Sequence, residues 1–172
     1  MAALFFSGQA TTFGAVEPGV CFATELREKT YIGLKVRDAA GAGDACVMLG
    51  PDAGEGPGYL AVPPAREWPV LALPDAMFQP SLDPQHIQAN GAAGPEPGML
   101  LLVEERWLLA VSDDAGSALI DLRSGVPARG AKGTGGIRFR AWRIVQKGLG
   151  DDYETICRHV VKRQSKVGFA RG

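Results

Sequence analysis

Hydrophobic and polar positions alternate along much of the N-terminal third of the chain. The segment TYIGLKVR at 30–37 places apolar side chains at every second residue, which is the period of a strand with one buried face. The segments VCFATEL at 20–26 and ACVML at 45–49 also have the length and the apolar content of strands. Residues 1–50 are therefore predicted to form a β-hairpin region.

The same kind of pattern returns after residue 98. The segment MLLLVEERWLLAVSD at 99–113 has two apolar runs on either side of a charged centre, which predicts a tight hairpin or one long bent strand. The segments ALIDL at 118–122 and IRFRAWRIV at 137–145 add further strands. Residues 99–145 are predicted to be a second β region.

Proline interrupts the pattern between these two regions. Ten of the 12 prolines lie in residues 51–98, a segment that also carries six carboxylates and a single basic residue, Arg66. Because proline removes a backbone donor and restricts the preceding residue, long helices and central strands are not expected there, and only short pieces such as YLAV at 59–62 and VLAL at 70–73 fit. The segment keeps apolar anchors such as Trp68 and Phe78, so it is predicted to cover the core as an acidic, Pro-rich loop excursion.

The last segment, residues 146–172, is basic and has a different period. Within GDDYETICRHVVKRQSK, apolar residues recur at spacings of three and four, acids stand at the start and bases near the end. This arrangement favours a short amphipathic C-terminal helix capped by Asp151 or Asp152, with a final edge strand as the alternative.

Together these segments predict a mainly β fold. The chain has 172 residues, 46% of them hydrophobic and 22% charged, which fits a single globular domain over residues 1–172. The expected architecture is a barrel or a sandwich of about seven to nine short strands, with the Pro-rich excursion in the middle and the short C-terminal helix at the end.

The cysteines and the apolar runs indicate the cellular compartment of the protein. Cys21, Cys46 and Cys157 are odd in number and form no CxxC pair, so neither a disulfide framework nor a zinc knuckle is indicated. The longest apolar run, at 99–103, is far shorter than a membrane helix, and the N-terminus lacks the basic and apolar regions of a signal peptide. We expect a cytoplasmic protein with no membrane partner.

The overall net charge of −1 hides a strong asymmetry along the chain. Residues 1–121 hold 6 basic and 16 acidic residues, whereas residues 122–172 hold 12 basic and 3 acidic residues. If 137–145 is a strand, Arg138 and Arg140 share a face with Trp142, next to a basic Gly-rich loop. The candidate anion- or partner-binding residues are Arg129, Lys132, Arg138, Arg140, Trp142, Arg143 and Lys147. The alternative is a solvated strand face whose arginines pair with the acidic middle segment.

The stretch DAAGAGDA at 38–45 resembles the signature of the ribokinase family of sugar and nucleoside kinases. The resemblance implies an anion hole at residues 41–43 and a catalytic base at Asp44, at the start of a helix. However, Gly50-Pro51 follows within six residues, and no other part of the chain resembles that large α/β family. The surroundings instead predict a hairpin loop between Val36 and Cys46, with both aspartates as turn residues.

Other chemical motifs are incomplete. The segment GVPARGAKGTGG at 125–136 misplaces the lysine of a phosphate-binding P-loop and precedes a predicted strand. Cys157 and His159 have no orienting carboxylate at a suitable local spacing, and the sequence does not tell whether they, Cys21, Cys46 or His86 meet in a site. With two histidines in the chain, a His-rich metal site is excluded, and no cofactor is indicated.

The sequence therefore favours a noncatalytic binding or assembly module. Its basic C-terminal part would engage an anionic ligand or the acidic region of another copy; nucleic acid is a further anionic partner, although no motif supports it. The competing hypothesis is a small-ligand-binding protein or an enzyme with a pocket in the β core or beneath the Pro-rich segment.

Overall fold

The computed structural model describes residues 7–26, 28–38, 42–50, 60–61, 63–89, 94–113, 116–128, 136–148 and 152–161. In these ranges the chain forms strands and two short 3₁₀ helices, at Phe13–Ala15 and Pro84–His86, and no α-helix. The strands are β1 Gln9–Thr12, β2 Cys21–Leu26, β3 Lys29–Arg37, β4 Asp44–Gly50, β5 Leu60–Ala61, β6 Pro69–Leu73, β7 Met77–Pro80, β8 Ile87–Gln88, β9 Leu100–Val103, β10 Arg106–Asp113, β11 Gly116–Asp121, β12 Val126–Pro127, β13 Ile137–Phe139, β14 Ala141–Lys147 and β15 Tyr153–Val160.

These strands form three antiparallel sheets. The first has the order β1-β6-β2-β3-β4-β5, the second β12-β11-β10-β9-β13-β8 and the third β15-β14-β7. None of the three closes into a barrel. The prediction of a mainly β fold is confirmed, but the described residues contain 15 strands, three of them only two residues long, instead of the predicted seven to nine.

One apolar cluster connects the three sheets. Leu34 of the first sheet, Leu109 of the second and Ile144 of the third are fully buried members of this main core. Two smaller clusters lie elsewhere, one around Phe13 and Phe22 and the other around Met99, Leu101, Leu108, Ala110 and Leu119. Apolar burial of this kind is the dominant stabilising term in folding, so the three sheets are held mainly through their shared core.

Two predicted hairpins are present. Strand β3 pairs with β4 in the register Val36↔Ala45 and Lys35↔Cys46, as the alternation at 30–37 and the apolar run at 45–49 predict. Of the predicted loop tip at 39–43, residues 39–41 lie outside the described ranges. Strands β9 and β10 are joined by Glu104 and Glu105, both at positive φ (48° and 64°), which is the backbone of a two-residue hairpin turn.

The Pro-rich segment contributes more to the sheets than its composition suggests. The short pieces predicted at 59–62 and 70–73 coincide with β5 and β6. Strand β6 lies between β1 and β2 in the first sheet, so the expectation that no central strand forms there is wrong. The prolines flank this strand instead of interrupting it: Pro69 is its first residue and Pro74 follows its last. A proline at the start of a strand leaves the remaining backbone donors available for pairing.

The C-terminal helix prediction is also wrong. Residues Tyr153–Val160 form strand β15, which pairs antiparallel with β14 along its length and has a bulge opposite Ile144 and Val145. The spacing of three and four arose from β-branched and aromatic residues that suit a half-buried strand equally well. Asp152 accepts a backbone hydrogen bond from Gly148 at 2.9 Å in the β14–β15 connection, and Asp151 lies outside the described residues.

A search of the helices in the described ranges for one with the length and apolar character of a membrane span found none.

Candidate functional site

The chain changes sheets at Arg140. Strand β13 of the second sheet ends at Phe139, Arg140 forms a bend, and β14 of the third sheet begins at Ala141. Phe139 and Trp142 both pack into the main core although they are three residues apart, so the strict alternation expected over 137–145 is broken there. The bend therefore changes which face of the sheet the side chains after Arg140 point to.

The predicted row of Arg138, Arg140 and Trp142 is buried. Their relative exposures are 3%, 6% and 3%. The Arg140 guanidinium is paired with the carboxylate of Glu96, and the Trp142 indole Nε1 donates to the Gly98 carbonyl at 2.7 Å. These side chains therefore contribute to the interior of the protein. Arg140 pairs with the acidic middle segment as the alternative predicts, but the strand face is buried and not solvated.

The other predicted binding residues are placed differently. Arg143 and Lys147 are exposed on β14. Arg129 and Lys132 lie outside the described residues, so their part of the predicted basic surface stays a prediction. Among the charged residues of the predicted binding set that the structure describes, Arg143 lines a concave surface.

That surface is a cleft of about 610 Å³ on the three-stranded sheet, which we call the arginine cleft. It is lined by Gln79, Pro80, Ser81, Leu82, His86, Ala141, Trp142, Arg143, Arg158, His159 and Val160. The register of the sheet arranges most of these residues in rows across β7, β14 and β15. A volume of this size is in the range of sites for small organic ligands.

One row carries the charge of the cleft. Gln79, Arg143 and Arg158 are cross-strand partners on the three neighbouring strands. Arg143 donates from Nε to the Gln79 Oε1 at 2.7 Å, which fixes the direction of its guanidinium group. Arg158 is exposed and makes no ion pair within the described part of the chain. Two cationic side chains thus stand side by side on one wall.

A second row lies two residues further along the strands. Val160 pairs with Ala141, whose carbonyl accepts a hydrogen bond from the Ser81 backbone at 2.8 Å. Ser81 Oγ lies 3.1 Å from Nδ1 of His86, at the end of the short 3₁₀ helix. Because side chains two residues apart point to the same face of a strand, the two rows share the surface that carries Arg143 and Arg158.

The intervening row points toward the core. Trp142 pairs with Pro80 on one side and with His159 on the other, and the rings of Trp142 and His159 are 5.0 Å apart. The Nε2 atom of His159 is buried without a hydrogen-bond partner. Burial lowers the pKa of His159 to about 4, so its imidazole is neutral near pH 7 and adds no charge beneath the arginines.

No aspartate or glutamate is among the residues that line the cleft in the described part of the chain. Two arginines are therefore concentrated there without an acidic residue on the same walls. Guanidinium groups offer planar forks of N–H donors that match carboxylate and phosphate oxygens. The cleft is thus chemically suited to bind an oxyanion.

The kinase-like motif is part of a different arrangement. Asp44 is the first residue of β4, and its carboxylate lies 2.8 Å from Arg37 Nη1 and 3.4 Å from Lys35 Nζ. Asp38 Oδ1 accepts from the Ala42 backbone N–H at 3.0 Å, as a turn aspartate does. The strand that begins at Asp44 occupies the position where the resemblance requires a helix.

The cysteines do not form a nucleophilic site with a histidine in the described residues. Cys157 Sγ donates to the Leu49 carbonyl at 3.0 Å, and burial raises its pKa to about 11. Burial likewise raises the pKa of Cys21 and Cys46 to about 12, with a smaller contribution from Cys157 at Cys21. All three thiols remain protonated near neutral pH, which makes them poor nucleophiles.

Sequence reasoning missed Arg158, His86 and His159 as neighbours of Arg143. A final edge strand is the alternative that the sequence offers for this segment, and only a strand at Tyr153–Val160 brings Arg158 beside Arg143. His86 arrives from the Pro-rich segment, more than fifty residues away, and no local pattern in the sequence indicates this contact.

Within the ranges that the structure describes, no group of three or more His, Cys, Asp or Glu residues could hold a metal ion. Comparison with models of protein families, with curated proteins and with solved structures finds no match to this chain.

Proposed function

We propose that this protein is a noncatalytic binding module that takes an anionic ligand in the arginine cleft. The observation that carries the proposal is the direct cross-strand pairing of Arg143 with Arg158 on a wall that has no carboxylate among the described lining residues. Like charges directly opposite each other in a sheet are destabilising, and a bound anion would remove that cost.

The geometry around the pair supports the same function. Gln79 holds the Arg143 guanidinium in one direction through the 2.7 Å hydrogen bond, so less freedom is lost when an anion binds. Arg158 is the second donor group, and His159, which also lines the cleft, is neutral near pH 7 because burial lowers its pKa to about 4. An oxyanion between the arginines would accept charge-assisted hydrogen bonds from both.

We also propose a sandwich architecture and a cytoplasmic location for this protein. The two six-stranded sheets, which share the main core, would be the layers of a sandwich, with the three-stranded sheet and its cleft at one side. A cytoplasmic location is supported by the three cysteines, which remain thiols and form no disulfide with one another.

The test measures stabilisation by an anion. Thermal unfolding of the full chain is followed in sodium phosphate and in sodium chloride at equal ionic strength and pH. Because a ligand that binds the folded state raises its stability, phosphate should raise the Tm above that in chloride. Arg158→Gln should remove the difference, whereas Arg123→Gln, which changes an exposed arginine outside the cleft, should retain it.

Equal Tm values in phosphate and chloride, or a phosphate effect that survives Arg158→Gln, would contradict the proposal. Sedimentation of the same samples distinguishes the other partner considered for this charge distribution. Association that is concentration-dependent, weakens with salt and is lost in Arg158→Gln would identify a second copy as the anionic partner.

A further inference from the structure

We propose that the ligand of the arginine cleft is an amphipathic anion, an organic phosphate or carboxylate with a compact apolar body. Arg143 and Arg158 would bind its charged group, and Leu82, Ala141 and Val160 would contact its apolar part. This inference rests on the proposed function and deepens it, because it assigns the part of the ligand that the arginines do not contact.

The first observation is the exposure of large apolar side chains at this cleft. Leu82 is 76% exposed and Val160 is 54% exposed, and both line the cleft. Leu82 has the highest exposure of the large hydrophobic residues in the described part of the chain. Exposed apolar side chains next to a cavity are typical of binding sites, since a ligand that covers them removes apolar surface from water.

The second observation is the small residue beside Val160. Ala141 occupies the centre of the row, is 5% exposed, and carries only a methyl group. Two residues further along β14, Arg143 carries a much longer side chain on the same face of the strand. The floor of the cleft is therefore low and apolar at one end and bears two guanidinium groups at the other.

The two ends of the cleft are close together along the sheet. The row of Arg143 lies two residues from the row of Ala141 along β14, which is about 7 Å in an antiparallel strand. A phosphate or carboxylate attached directly to a ring or a short alkyl chain spans such a distance. A long flexible linker between charge and apolar group is not required.

Ser81 and His86 offer a polar alternative, a ligand rich in hydroxyl groups. Their side chains are already hydrogen-bonded to each other at 3.1 Å, and the Asp83 backbone N–H donates to Ser81 Oγ at 3.4 Å. Because Ser81 and His86 already have hydrogen-bond partners within the protein, a ligand would stabilise them little. Leu82 and Val160, in contrast, are exposed to water without a ligand. We therefore infer an apolar body, and the polyol is the alternative outcome of the test.

The experiment compares three ligands by isothermal titration calorimetry: inorganic phosphate, glycerol phosphate and phenyl phosphate. Phenyl phosphate should bind roughly tenfold more tightly than glycerol phosphate, because its ring covers apolar surface. Val160→Thr and Leu82→Ser should each weaken phenyl phosphate binding about threefold or more, with little effect on inorganic phosphate. Val126→Thr is the matched control, an exposed valine on β12 outside the cleft.

The outcomes separate the two proposals. If phosphate binding depends on Arg158 but phenyl phosphate binds no more tightly than glycerol phosphate, the amphipathic ligand is excluded and the anion-binding function stands. If phenyl phosphate binding depends on Val160 and not on Arg158, the proposed function is wrong. If none of the three ligands binds, both proposals are wrong.

Discussion

Arg143 and Arg158 lie directly opposite each other on strands β14 and β15, and Arg143 is held by Gln79 on its other side. Two like charges at directly opposite positions destabilise a sheet, whereas a pair of opposite charges would stabilise it. The position of this pair in a cleft without a described carboxylate is the feature from which the functional proposals derive.

Removing one charge of this pair should stabilise the free protein. We expect Arg158→Gln to raise the free energy of unfolding by about 0.3 to 1 kcal/mol at low salt, because the cross-strand repulsion is relieved. The gain should shrink at about 0.5 M salt, where exposed charges are screened. Urea denaturation at both salt concentrations measures it, with Arg123→Gln as the control; an equal gain at both concentrations would rule out repulsion as the cause.

Asp44 should contribute to stability and not to catalysis. Lys35 is 2% exposed, and its Nζ donates to the Phe13 carbonyl at 3.0 Å and lies 3.4 Å from the Asp44 carboxylate. Asp44→Ala removes the neutralising charge, so we expect a loss of about 2 to 3 kcal/mol. The exposed acid Asp75 provides the control, Asp75→Ala, which should change little.

A double-mutant cycle isolates the interaction. In a Lys35→Met background, Asp44→Ala should cost clearly less than in the wild type, since no buried ammonium group remains to be neutralised. Denaturation of the four proteins gives the coupling energy. Equal costs in both backgrounds would show that Asp44 acts through Arg37 or the turn instead.

Gly33 should not tolerate a side chain. It is the cross-strand partner of Phe22, and a Cβ at this position would lie 2.5 Å from the nearest atom of the Phe22 ring. That ring is fully buried and packs edge-on against Phe13 with centroids 5.3 Å apart, so it cannot move aside freely. We expect Gly33→Ala to destabilise the protein by about 1 to 3 kcal/mol.

The chain offers a matched control for that substitution. A Cβ built on Gly94 meets no atom of the described residues within 4 Å, so Gly94→Ala should be close to neutral when both variants are compared by thermal denaturation. Phe22→Leu should recover part of the loss caused by Gly33→Ala, because it shortens the group that clashes. Additive losses in the double variant would argue against a direct contact.

Stability should fall as the pH decreases from about 6.5 to 4, in part through His159. Burial lowers the pKa of His159 from 6.5 to about 4 in the folded protein, so in this window the unfolded chain binds a proton that the folded chain does not. The stability that neutral His159 contributes is complete above pH 6.5 and is lost as the pH falls to about 4. Allowing for the partial exposure of the ring, we expect about 1 to 2 kcal/mol.

The comparison with His159→Phe isolates this contribution. The substitution retains a ring against Trp142 and removes the titrating group. The stability difference between the variant and the wild type should therefore shift in favour of the variant on going from pH 7 to pH 4.5, as measured by urea denaturation. A difference that is constant with pH would show that another group is responsible.

Several local features could be predicted from the sequence. The β3–β4 hairpin followed from period-two alternation before a Gly/Ala-rich loop and a continuous apolar run after it, and the β9–β10 hairpin was one of the two predictions for residues 99–113. The free cysteines followed from their number and spacing. These features depend on neighbours along the chain, which a sequence displays directly.

Long-range pairing could not be predicted in the same way. The sequence alone established a mainly β chain, the Asp44 hairpin and a basic C-terminal part. Only the tertiary structure decided that the bend at Arg140 turns Trp142 into the core, that residues Tyr153–Val160 form a strand, and that Arg158 therefore lies beside Arg143. The physical reason is that period and propensity act locally, whereas the register between β14 and β15 and the burial of their faces are set by contacts between segments distant in sequence.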